Sequence, residues 1–335
     1  VSSPVGAITG GSAAANQTSI SQTLTNTTGE PATLTYTVTP DANGCNGDGF
    51  DIVVTVNPNG QVNAVADQTL CNGDSTLAVT FATTNTGSGT TTYNWVNDNT
   101  AIGLAANGTG DISSFTATSS AVAPIVGNIT VTPVYENNGV SCTGTAETFS
   151  ITVNPSPLVN FSEADQVIVT GETTTAVNLT SPTTDVTFAW TVSVPTGITG
   201  VTTSTGTDNI PAETLINSTT QPLDVVYTAI ATGDVGFDCE GLPTDYTVTV
   251  NPQAQVNPVD NQVVCNDENL TIEFSTIVTG GTTTFSWTND NTAIGLDATG
   301  TGNIDITAIN TTDQPLTANI VVTPSFENDG DTNTG

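Results

Sequence analysis

Residues 90–112 read TTTYNWVNDNTAIGLAANGTGDI, and residues 282–304 read TTTFSWTNDNTAIGLDATGTGNI. A match this long within one chain marks a duplicated structural unit, so its period is the first thing to establish. The tripeptide Val-Asn-Pro supplies it, through the copies that start at Val56, Val153 and Val250, spaced 97 residues apart. Trp95, Trp190 and Trp287 recur at nearly the same spacing. The expected organisation is a truncated repeat at 1–58, whole repeats at 59–155 and 156–252, and a second truncated repeat at 253–335. The chain breaks off mid-pattern at Gly335 and Val1 lies in a polar stretch, so an internal piece of a longer polypeptide is expected.

Within each repeat the apolar residues alternate with Thr. Phe149, Ile151 and Val153 precede one Val-Asn-Pro step, and Tyr246, Val248 and Val250 precede the next. Period-two alternation is the mark of a strand with one buried face. The strand before alternates too, as in Leu34, Tyr36 and Val38 or Ile129 and Val131, and a Gly/Asn-rich turn makes the two a terminal hairpin. Leu77, Val79 and Phe81 read as an earlier strand, and Tyr93 and Trp95 as the one after it. About seven strands per repeat and no long amphipathic helix predict an all-β fold, an elongated tandem array of immunoglobulin-like, up-and-down two-sheet sandwiches. Pro ends the last strand and stiffens the linker, since it cannot donate to a ladder and restricts the residue before it. Trp95, Trp190 and Trp287 each follow an aromatic residue two positions earlier, in the same strand place. They are expected in the core rather than as exposed sugar-stacking platforms.

Composition agrees. Thr makes up about a fifth of the chain, a bias toward pleated, half-buried backbone. There are 32 Asp and Glu, no Lys, Arg or His, and a formal charge of −32. Without cations the chain cannot neutralise phosphates, which disfavours nucleic acid and anionic membranes as partners. Without His there is no Ser-His-Asp or Cys-His constellation and no His-ligated metal. Scattered carboxylates are the one general acid–base option left, and no pair stands out, so the chain is expected not to be an enzyme. No apolar run reaches the length of a membrane-spanning helix. Asn97-Asp98-Asn99 and Asn289-Asp290-Asn291 offer hard oxygen ligands of the kind Ca²⁺ takes, with ordinary Asx turns as the plainer reading. No other cofactor is indicated.

The five cysteines occupy two places in the repeat. Cys71 and Cys265 follow the first strand; Cys45, Cys142 and Cys239 lie in the terminal hairpin. The third repeat carries Val169 near the early place, and alignment puts Asn333 at the late place of the fourth. Pairing within a repeat joins Cys71 to Cys142 but strands Cys239 and Cys265, and pairing a late Cys with the next repeat's early Cys gives Cys45–Cys71 and Cys239–Cys265 but strands Cys142. Pairing an early Cys with the late Cys of the following repeat gives Cys71–Cys239 and accounts for both gaps at once. The expectation is an inter-repeat disulfide, with buried free thiols as the alternative; a disulfide implies an oxidising, extracellular setting.

The run DQTLCNGD from Asp67, the run TYNWVNDNTAIGLAANGTGDI from Thr92, and the ITVTP…NG…C…FSITVNP frame ending at Pro155 resemble the PKD-like repeats of giant Bacteroidota cell-surface adhesins, the SprB-type gliding-motility adhesins. The resemblance spans the chain and is strongest in the second and fourth repeats. It implies a secreted, filamentous protein attached at the outer membrane, exported by type IX secretion and moved by the gliding machinery. The implied partners are other segments of the same long chain and surface polysaccharide. The expected function is a stiff, force-bearing stalk. The alternatives are glycan-binding sandwich modules or an accessory region of a large secreted hydrolase.

Overall fold

A computed structural model describes residues 6–233 and 238–335. Among them the regular structure is strand, apart from two single-turn 3-10 helices at Thr100–Ile102 and Thr292–Ile294. The chain divides into two compact units, Val1–Ser156 and Pro157–Gly335.

After a short paired segment near its start, the first unit has an antiparallel hairpin, β1 (Ala32–Val38) and β2 (Phe50–Val56). Ala32, Leu34 and Tyr36 turn inward to pack on Ala7 and Ile8. Then come β3 (Gln68–Cys71), β4 (Thr90–Asn97), β5 (Asn107–Thr109), β6 (Ile125–Asn137), β7 (Val140–Thr143) and β8 (Glu147–Asn154). They form one sheet in the order β3-β8-β6-β4-β5, with β7 paired to the far end of β6. A second layer is pinned by antiparallel bridges between Ser75 and Thr116 and between Val79 and Ile112. Val79, Phe81, Ile112 and Ala117 from that layer meet Trp95, Ile129, Val131, Phe149, Ile151 and Val153 from the sheet in a single core.

The second unit repeats this plan. β9 (Gln166–Val169), β10 (Val186–Ser193), β11 (Thr205–Gly206), β12 (Leu223–Gly233) and β13 (Thr244–Asn251) lie in the order β9-β13-β12-β10-β11. After them β14 (Thr282–Asn289), β15 (Thr299–Thr301), β16 (Ile320–Asn328) and β17 (Asp331–Thr334) form a sheet in the order β15-β14-β16-β17, beside a pair made by Asn269–Ile272 and Ile304–Thr307. The fold is thus a tandem series of β-sandwiches.

Three sequence expectations need correcting or completing. The sandwich is not purely up-and-down, because the first strand runs parallel to the last: β3 pairs β8 and β9 pairs β13. The chain can do this because it turns directly after β3 and crosses to the opposite layer, leaving β3 to cover the outer edge of β8. Leu77 is 76% exposed rather than inward. The Gln68 side chain inserts into the ladder there, accepting from Leu77 N (2.9 Å) and donating to Leu77 O (3.1 Å), and this shifts the alternation; Gln166 does the same at Thr175. The hairpin turns Asn43-Gly44, Asn138-Gly139 and Asp329-Gly330 have positive φ at both residues, as a two-residue I′ turn requires. The corresponding turn near Asp234 falls outside the described residues.

The repeats also alternate between two types, which the 97-residue period conceals. Ile8–Thr9 pairs with Thr25–Asn26, and Ile198–Thr199 pairs with Ile216–Asn217. In the repeats containing Trp95 and Trp287 the corresponding stretch instead carries the 3-10 helix, capped in both by an Asn side chain that accepts from the backbone two residues on.

All three tryptophans are buried, and each ring lies against a glycine of the neighbouring strand: Gly108 on Trp95, Gly206 on Trp190, Gly300 on Trp287. A Cβ at any of these glycines would overlap the indole. Trp190 Nε1 donates to Asp208 O (2.7 Å) and Trp287 Nε1 to Gly302 O (3.1 Å). Gly206→Ala is expected to destabilise its repeat by about 1–3 kcal/mol through overpacking, read as a lower urea midpoint with unchanged slope. Gly139→Ala, at φ +78° with open space around it, should cost only about 1 kcal/mol of backbone strain.

Candidate functional site at the repeat junctions

Val-Asn-Pro carries each last strand into the next repeat, and the structure shows this step held by specific bonds. In the first unit Asn57 Nδ2 donates to Asn137 O (3.2 Å), and Asn137 Nδ2 returns a bond to Asn57 Oδ1 (2.9 Å). Gly60 N donates to Cys142 O (3.1 Å), and Thr86 N donates to Gly29 O (2.7 Å). Pro58 and Gly60 are buried. The backbones approach so closely that a side chain at Gly144 would overlap Gly60 O. The second unit repeats the arrangement. Asn328 Nδ2 donates to Asn251 Oδ1 (3.0 Å), Thr279 N donates to Thr220 O (2.8 Å), and a Cβ at Gly335 would overlap Ala254 O. Two junctions built from corresponding residues make the linker a docked element, since each buried polar group has found a fixed partner.

The cysteine places can be located on this frame. Cys71 ends β3 opposite Asn154, and Val169 ends β9 opposite Asn251, so the two are equivalent. Cys142 faces Tyr135, and Asn333 faces Phe326 at the matching place. Along β6, ten residues separate the partner of Val153 from Tyr135. That is roughly 33 Å, far beyond disulfide reach, so Cys71 cannot bond Cys142. Asn333 instead clamps the linker: its Oδ1 accepts from Ala254 N (2.8 Å) and its Nδ2 donates to Pro252 O (3.2 Å). Cys71 and Cys239 are each disulfide-bonded, whereas Cys45, Cys142 and Cys265 are free thiols.

The Asx triplets act as local braces. Asn97 is buried and donates to Leu104 O (3.0 Å), while its Oδ1 accepts from Asn99 N (3.1 Å). Asp98 accepts from Asn128 N and Nδ2 (both 2.8 Å), and Asp290 holds Asn319 likewise. The Asn128 and Asn319 amides hold the Asp98 and Asp290 carboxyls below the usual carboxylate range, and the Ser150 N–H does the same for Asp67. Among the described residues no cluster of three or more His, Cys, Asp or Glu is placed to hold a metal. Shallow depressions lined by Thr91, Thr92 and Tyr93, and by Thr283, Thr284 and Phe285, lie at matching places on β4 and β14.

Sequence reasoning missed the one buried carboxylate among the described residues. Glu213 is 3% exposed, in a chain with no Lys, Arg or His to pair with it. Its carboxyl accepts from Thr202 N (2.6 Å), Thr202 Oγ1 (2.7 Å) and Tyr227 OH (2.6 Å). Burial, then the bond and charge of Glu213, push the Tyr227 phenol far up. Burial also raises Tyr93 and Tyr246. In the first repeat Gln22 stands in the corresponding place and accepts from Tyr36 OH (2.6 Å). The aligned Ile-Thr-Gly runs at Ile8 and Ile198 were the signal that could have revealed this correspondence.

Residues 2–60 and 166–254 match the family model of the PKD-like domain. These segments are similar to that domain family. They belong to the first and third repeats, the type with the paired Ile-Thr segment, and not to the two whose sequences carried the resemblance most strongly. No curated protein matches the chain. Among solved structures, the N-terminal eight Ig domains of Down Syndrome Cell Adhesion Molecule are 13% identical, covering 91% of this chain and 39% of that one, with a TM-score of 0.40. Human CDH23 EC21-23 is 12% identical, covering 83% and 98%, at 0.32. Domains 3–5 of Drosophila OTK are 11% identical, covering 83% and 95%, at 0.27.

Two predictions follow from the buried groups. Glu213→Gln should cost about 1–2 kcal/mol, because the amide still accepts from Tyr227 but sets an N–H against Thr202 N; Glu213→Leu should cost about 3–4 kcal/mol by leaving three donors unpaired, both read by chemical denaturation. The second concerns pH. A raised tyrosine pKa adds stability that is complete below the unfolded value near 10 and is lost as pH climbs past it. Lowered carboxyl values at Asp67, Asp98 and Asp290 add stability that is lost as pH falls below about 4. Alkaline titration followed by phenolate absorbance should therefore show Tyr227 ionising only together with unfolding.

Proposed function

We propose that this chain is a stalk segment of a filamentous cell-surface adhesin, a non-catalytic array that projects a distal tip and carries load. The observation that supports this best is the junction. Corresponding Asn, Gly and Thr groups dock neighbouring repeats in both units, and repeats built on one plan argue for length rather than individually tailored sites. We take the repeats as 1–58, 59–155, 156–252 and 253–335, with core aromatics Trp95, Trp190 and Trp287. The PKD-like match and the disulfide fit an extracellular location. Type IX export, outer-membrane attachment, gliding motility and a polysaccharide target rest on the resemblance to SprB-type adhesins.

The reading includes the pairing of Cys71 with Cys239. In the second unit the equivalent places are filled by Val169 and Asn333, and there β9 and β17 lie side by side. The early place of one repeat and the late place of the next are thus neighbours where no cysteine is present. The hydrogen-bonded clamp of Asn333 would replace a covalent lock of the same function.

Unreduced digestion with an Asp- or Glu-specific protease is expected to yield a Cys71–Cys239 linked peptide; a Cys239–Cys265 or Cys45–Cys71 link would sink the pairing. Single-molecule pulling tests the load-bearing role. The oxidised chain should release less length than the reduced one, by about 600 Å for the residues shielded between the two cysteines. Unfolding at negligible force in both states would remove the stalk reading.

A further inference from the structure

In the repeats around Trp95 and Trp190 the short first strand is tied on every side. β3 runs parallel to β8, with Gln68, Thr69, Leu70 and Cys71 facing Ile151, Thr152, Val153 and Asn154; β9 runs parallel to β13, with Gln166 to Val169 facing Val248 to Asn251. A carboxylate adds a rung before each ladder. Asp67 Oδ1 accepts from Ser150 N (2.6 Å) and Asp165 Oδ1 from Thr247 N (2.9 Å). A backbone bond adds a rung after it, from Asn72 N to Asn154 O and from Thr170 N to Asn251 O (both 2.9 Å). The same strand is pinned to the opposite layer by the Gln68 and Gln166 amides, and just beyond it by Gly73 N to Ala117 O and Gly171 N to Leu215 O (both 2.8 Å).

The direction of load decides what these ties can do. Tension enters a repeat ahead of its first strand and leaves after its last, through the Val-Asn-Pro steps. In a parallel pair the two loaded ends, the start of the first strand and the end of the last, lie at opposite ends of the ladder. The pull then runs along the strands, and all the rungs must stretch together. In an antiparallel pair the loaded ends would share one end of the ladder, and the rungs would break singly, like a zipper. The segments ahead of β3 and β9 bond only briefly to the other layer, through Asn63 N to Ala82 O (2.8 Å) in one and through Asn160–Phe161 against Leu179–Thr180 in the other. Load therefore passes them and meets the first strand.

We propose that the β3–β8 and β9–β13 pairs are shear latches, each lengthened by its carboxylate rung, and that they set the load at which these repeats open. The proposal rests on the load-bearing reading for its use, but it concerns the ladder inside a repeat rather than the docking between repeats. Asp67 and Asp165 are exposed. Their bonds must break before the first strand can slide along the last, so each adds to the barrier under load. Bonds of the same kind lie off the latch. Asp111 Oδ1 accepts from Phe81 N (2.9 Å) and Asn209 Oδ1 from Leu179 N (3.0 Å). Neither joins the first strand to the last, so both survive the sliding step.

The test is constant-force unfolding of the whole chain, held by its two termini. The chain is fully reduced, because a disulfide at Cys71 or Cys239 would carry load past a latch. Asp67→Ala combined with Asp165→Ala is expected to raise the unfolding rate of both repeats about fivefold, the loss of one hydrogen bond from each barrier. Asp111→Ala combined with Asn209→Ala is expected to leave those rates at the unaltered value, although both double variants lose stability to urea. Equal acceleration by the two pairs, or none by the first, overturns the latch while leaving a force-resistant chain as a stalk. Opening of the unaltered chain at negligible force would remove both readings.

Discussion

The last strand of a repeat meets two demands at once. Its inward residues, Phe149, Ile151 and Val153 or Tyr246, Val248 and Val250, fill the core, and its final Asn and Pro leave directly for the next repeat. A slip of one residue would turn every inward side chain to solvent and would also move the linker off its docking place. The pairing on both edges of this strand therefore sets core and junction together. The close approach of Gly335 to Ala254 follows directly from the strand Thr244–Asn251, which is paired on both edges.

The absence of cations sharpens these constraints. With no Lys, Arg or His, no side-chain ion pair is possible, and the polar groups that fold inward must be satisfied by amides, hydroxyls and backbone. That is the pattern seen. Asn57 bonds Asn137, Asn251 bonds Asn328, Asn97 braces its loop, and Glu213 is held by Thr202 and Tyr227. Asn is suited to this work because it both donates and accepts without carrying charge. The acidic side chains mostly stay outside, where their mutual repulsion keeps such a chain soluble.

Chemistry at the junctions varies within this common frame. The late place holds Cys142 in one repeat and Asn333 in another, and the Asn333 clamp shows that a hydrogen-bonded amide can occupy a cysteine's place without changing the hairpin around it. The alternation of repeat types, with paired Ile-Thr segments in one and a 3-10 turn in the other, gives each compact unit one repeat of each kind.

The sequence by itself determined the all-β class and placed the strands that lead into each Val-Asn-Pro step, because alternation of apolar residues with Thr is a local signal. It also located the two cysteine places, through gaps that only a comparison of repeats exposes. It misplaced Leu77, since a side chain inserted into a ladder leaves no trace in the alternation. Only the tertiary structure decided that the first strand runs parallel beside the last, that linkers are docked, and that Glu213 lies inside. Each of these depends on groups far apart in the chain meeting at bonding distance, and hydrophobic period carries no information about which polar atoms will meet.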